Sequence, residues 1–99
     1  MHAPKKYRVA AFVREPHASA LTRKGAKEEA VEQALPYLER HGWSQLEFKG
    51  AEWDDDPQEG RAFYIYFVGS PPAGEHLLFG VACIAFFPEL SSFPADGPP

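Results

Sequence analysis

The chain of 99 residues holds a single cysteine, Cys83. One thiol makes no internal disulfide, which excludes the small disulfide-stapled scaffolds and fits a reducing compartment. No apolar run approaches the roughly 20 residues that a membrane-crossing helix needs. Residues 1–15 join a basic start to a short apolar run, but Arg14 ends that run and no small-residue cleavage site follows. The stretch therefore does not read as a secretory signal, and a cytoplasmic location is expected. Four histidines occur, His2, His17, His41 and His76, and none pairs at His-x-His or His-x₃-His spacing, so no zinc motif exists. Ser19 and Ser70 lack a nucleophile-elbow context. Pro71 and Pro72 remove the N–H groups that a phosphate loop between Gly69 and Gly74 would need. No catalytic residue, metal ligand or cofactor is assigned.

Positive charge is scarce beyond residue 27. Residues 1–27 hold seven Lys or Arg against Glu15 alone, a net of +6, and residues 28–99 carry a net of −10. The basic part, with Lys5, Lys6, Arg8, Arg23, Lys24 and Lys27, is able to touch phosphates, but the larger acidic part repels them. The basic aromatic signature of an RNA-binding strand is also missing, so nucleic acid is not the expected partner.

What the chain does have is aromatic strands and one amphipathic helix. Tyr7–Arg14 alternates Tyr7, Val9, Ala11 and Val13 with a mixed face of Arg8, Ala10, Phe12 and Arg14. Residues 16–25 read as a loop of small residues. From Ala26 to His41, Ala30, Val31, Ala34, Leu35 and Leu38 recur at three- and four-residue steps, which predicts a helix with one apolar stripe. Glu28 and Glu29 suit its first turn, Thr22 or Gly25 its N-cap, and Gly42 its C-terminal exit. Pro36 removes one hydrogen bond, so a kink is expected there.

Trp43–Trp53 is the second expected strand, with a bulge or bend at Gly50. Asp54-Asp55-Asp56-Pro57-Gln58-Glu59-Gly60 reads as a turn. The third strand spans Arg61–Gly69 and the fourth His76–Phe87. Loops of six to seven residues between strands two, three and four suit hairpins. The expected fold is α+β, a single β-α-β-β-β domain over residues 1–90. Its four-stranded, mostly antiparallel sheet carries one Pro-kinked helix on one face. Residues 91–99 read as a loose, Pro-rich tail.

The third strand has no wet face. Phe63, Ile65 and Phe67 point one way, and Tyr64, Tyr66 and Val68 the other. One helix covers one face of such a sheet, which leaves the second as an apolar patch of the kind that marks an interface. Three covers fit: a second copy, the segment Pro88–Phe93 folded back on Leu90 and Phe93, or another protein. The second copy is preferred, because two-fold dimers are the commonest assemblies.

The acidic run with Trp53, Asp54, Asp55 and Asp56 is either a solvated turn, a loop that meets a basic partner with Trp53 as anchor, or a hard-cation site. It lacks the alternate spacing of a calcium loop. Cys83 reads as a buried, inert thiol. The expected function is that of a small acidic, non-enzymatic interaction protein, homodimeric through the Tyr64–Tyr66–Val68 face. The alternative is a ligand-binding protein or enzyme. It would have an aromatic pocket between helix and sheet and an acid–base group of His17 and His76.

Overall fold

The computed structural model describes residues 6–73 and 81–90. Strand β1 (Tyr7–Arg14) is followed by a short helix α1 (His17–Ala20) and the main helix α2 (Ala26–Arg40). Strands β2 (Ser44–Asp56), β3 (Gly60–Ser70) and β4 (Val81–Ala85) complete the order. The α+β class and the single sheet-covering helix agree with the sequence reading. The loop expected over residues 16–25 differs in holding α1, one helical turn that buries Ala18.

Helix α2 starts at Gly25, whose φ of 84° is a left-handed value, and the Gly25 carbonyl accepts from the Glu29 N–H. Thr22 is not the cap; its hydroxyl donates to the Ser19 carbonyl instead. The helix runs on through Pro36 as one element. Pro36 and Glu32 are both exposed, so the carbonyl that loses its partner to the proline lies on the wet side. At the far end the Gly42 N–H reaches Glu39 and the Trp43 N–H reaches Leu38, with Gly42 at φ 98°. This is a Schellman closure, and it seats Trp43 against the same core as Leu38.

The sheet order is β2-β3-β1-β4. β3 pairs antiparallel with both β2 and β1, whereas β4 pairs parallel with β1. The hairpin expected between strands three and four is therefore absent: β1 lies between them. The link from β3 to β4, residues 71–80, has to reach across the width of β1, which a tight hairpin turn does not do. β4 is shorter than the expected His76–Phe87, and residues 76–80 lie outside the described residues. β2 extends through Asp56, so Asp54, Asp55 and Asp56 are strand residues and only residues 57–59 turn.

Both helices lie on one side. Ala18 and Leu21 join Ala26, Ala30, Ala34 and Leu38 over Val9, Ala11, Val13, Phe63, Ile65 and Phe67. This is the apolar stripe read from the sequence, shifted toward alanine, with Leu35 left exposed. Alanines on the helix let it lie close to the large sheet residues below.

Candidate functional site

The register fixes which residues share the side away from the helices. Across β2, β3, β1 and β4 one row reads Glu52, Tyr64, Phe12 and Ala85. The next reads Gly50, Tyr66, Ala10 and Cys83, and the third Glu47, Val68, Arg8 and Val81. Asp54, Ala62 and Arg14 begin a fourth. The rings of Phe12 and Tyr64 stack at 5.6 Å and those of Tyr64 and Tyr66 at 6.0 Å. The Arg14 guanidinium lies 5.1 Å from the centre of the Phe12 ring and bridges to Glu59. Tyr66 donates its hydroxyl to Glu52 at 3.1 Å. Partial burial and then this hydrogen bond push the Tyr66 phenol above its ordinary pKa.

This open face is the one expected from Tyr64, Tyr66 and Val68. All three are half-buried, and among the described residues no element packs across them. The described part of the C-terminal segment, residues 86–90, goes to the other side. Phe86 is buried beside Tyr37, Leu90 packs on the core, and the Glu89 backbone exchanges hydrogen bonds with the Gln33 amide. Leu90 is thus no cover for the tyrosines, and Phe93 lies outside the described residues. Cys83 is exposed, not buried as expected. The reason is topological: β4 is an edge strand, and Cys83 falls in the open row.

Trp53, Asp54, Asp55 and Asp56 do not form one loop. Trp53 pairs with Phe63 and turns toward α2, while Asp54 pairs with Ala62 on the open side. Asp55 lies 3.8 Å from Arg61, whose guanidinium lies over the Trp53 ring. Asp56 accepts from the N–H groups of Gln58 and Glu59, which closes the turn. Those two bonds, Glu59 first, hold its carboxyl below the ordinary value. Among the described residues no three of His, Cys, Asp and Glu stand close enough to hold a metal ion.

The second surface is a groove between α2 and β2, with a volume of about 620 Å³. Val31, Phe48, Ala51, Trp53 and Phe63 line it, with Lys27, Glu28 and Glu32 at the helix rim. Sequence reading placed a pocket here but gave it to His17 and His76. His17 is not among its lining residues; it is exposed on α1 with its ring edge-on to Phe87 at 5.2 Å. His76 lies outside the described residues. Phe48 was missed as a groove residue, although Gly50 signalled the bulge that brings it there. No described helix is long and apolar enough to cross a membrane. Comparison of the chain with protein-family models, curated proteins and solved structures finds no match.

Proposed function

We propose that the protein is a small, non-enzymatic interaction module that pairs with a second copy of itself through the open sheet face. The observation that carries this reading is the stacked run Phe12–Tyr64–Tyr66 on a face that the described C-terminal segment leaves uncovered. Tyrosines suit such a contact, because their rings bury while their hydroxyls keep a partner.

Charge favours a second copy over an unrelated one. On this face β1 contributes Arg8 and Arg14, whereas β2 contributes Glu47, Glu52 and Asp54 beside Lys49. A two-fold axis along β3 lays β1 of one copy over β2 of the other. Arg8 then faces the partner's Glu47 row, and the Arg14 row faces the Asp54 row. An axis across the strands would instead set β2 on β2 and acid on acid. Four strands of this length present roughly 500 Å² in projection. A stable interface buries about 800 Å² per partner, so the pair is expected to dissociate on dilution.

The test is light scattering on a size-exclusion column over a concentration series. The mass is expected to rise from 11.0 kDa toward twice that value. Tyr66→Glu, still folded by circular dichroism, is expected to stay at the lower mass. A wild-type chain that remains a monomer throughout, or a folded Tyr66→Glu that associates as before, removes the proposal.

A further inference from the structure

Among the described residues, the outer edge of β2 is the longest free strand edge. Among the described residues β2 pairs with β3 alone, so the other side of its thirteen residues presents a row of unpaired backbone groups. Its two faces differ in chemistry. Toward α2 it shows Phe48, Ala51 and Trp53; toward the open side it shows Glu47, Glu52 and Asp54. The strand as a whole holds five acidic residues against Lys49.

The helix does not cover this edge. α2 sits over β1 and β3, and the groove opens between Val31 and the side chains of Phe48 and Trp53. Phe48 is 48% exposed. Gly50 and Ala51 lie on the β2 side of the groove. A strand laid beside β2 would place alternate side chains under the flank of α2, and the others beside the acidic row.

We infer that the β2 edge with the α2–β2 groove is a docking site for an extended peptide strand that alternates apolar with basic residues. Its main chain extends the sheet by one strand. Its apolar side chains enter the groove between Val31, Phe48 and Trp53, and its Lys or Arg side chains pair across the strand with Glu47, Glu52 and Asp54. The acidity also disfavours pairing with a second β2, because two such strands side by side would set like charges opposite one another. The groove and the strand edge lie outside the tyrosine face and do not rest on self-association, whereas Glu47, Glu52 and Asp54 lie on the tyrosine side and are the acidic row that also faces Arg8 and Arg14 in the proposed pair.

The probe is a ten-residue peptide alternating Val with Lys, titrated at low salt into the ¹⁵N-labelled full chain. Amide shifts are expected along Ser44–Asp56 and around Val31. Three comparisons separate the parts of the site. Replacing Lys by Glu in the peptide should abolish binding. N-methylating one central amide that faces β2 should weaken it about fivefold, since a lost hydrogen bond contributes about 1 kcal/mol. Phe48→Ser in the protein should weaken it similarly. Absence of binding by the Val–Lys peptide overturns the inference. So does equal binding of the N-methylated peptide, or a response centred on Phe12 and Tyr64 instead of β2. The two peptide controls keep the test decisive even if the Phe48 variant fails to fold.

Discussion

Phe48 and Trp53 stand five residues apart on β2, yet both lie on the helix side, opposite Phe67 and Phe63. An odd spacing puts two strand residues on opposite faces. The register shift between Phe48 and Gly50 leaves Lys49 as an extra residue and restores the phase. Gly50 takes φ 145°, a value L side chains rarely adopt. Gly50→Val is therefore expected to cost about 1–3 kcal/mol, read by urea unfolding. It should also reduce peptide binding at the β2 edge.

Gly42 closes the main helix at φ 98°, and a Cβ there would approach Pro72 Cβ to 2.8 Å. Gly42→Ala meets both the strained backbone and this clash. The expected loss is about 1–3 kcal/mol, again by urea unfolding. Gly25→Ala should lose less, because a Cβ at Gly25 meets nothing within 4 Å and only the φ is unfavourable.

Removing residues 88–99 takes away Leu90 and the paired hydrogen bonds between Glu89 and Gln33. Since Leu90 is only partly buried, the expected cost is about 1–3 kcal/mol. The truncated chain should associate with the same concentration dependence as the full one, because residues 88–90, the described part of what it loses, pack on the helix side. Stronger association or aggregation of the truncated chain would place the cover of the tyrosines in the tail.

The Tyr66 phenol is held protonated to higher pH than in the unfolded chain. Its contribution to stability is complete below the ordinary value of 10.0 and is lost as pH rises through the raised one. Unfolding followed between pH 8 and pH 12 should show this alkaline loss. Tyr66→Phe should flatten it.

Asp56 has the opposite sign. Its carboxyl is lowered from 3.8 by the N–H groups of Glu59 and Gln58. That stabilisation is present above the ordinary value and disappears as pH falls through the lowered one. Asp56→Ala should lower the melting temperature at pH 7 and shrink the acid-side decline.

Much of the fold was legible because it is written in local periods. The bounds of β1 and α2, the glycine exit at Gly42 and the bulge at Gly50 follow from alternation, helical spacing and backbone freedom. The acidic run misled because composition marks aspartates as turn residues, while pairing of Asp54 with Ala62 and Asp55 with Arg61 carries the ladder on to Asp56. Cys83 misled because its neighbours in sequence are apolar, and sequence neighbours do not show that a strand lies at an edge.

By itself the sequence determined that Tyr64, Tyr66 and Val68 oppose Phe63, Ile65 and Phe67, since a strand alternates whatever it pairs with. It also determined that one helix of this length leaves part of such a sheet bare. Only the tertiary structure decided strand order, and with it the rest. Inserting β1 between β3 and β4 stacked Phe12 on Tyr64, turned Cys83 outward and left β2 as an acidic edge beside an apolar groove. Long-range pairing sets these neighbours, and no local period encodes it.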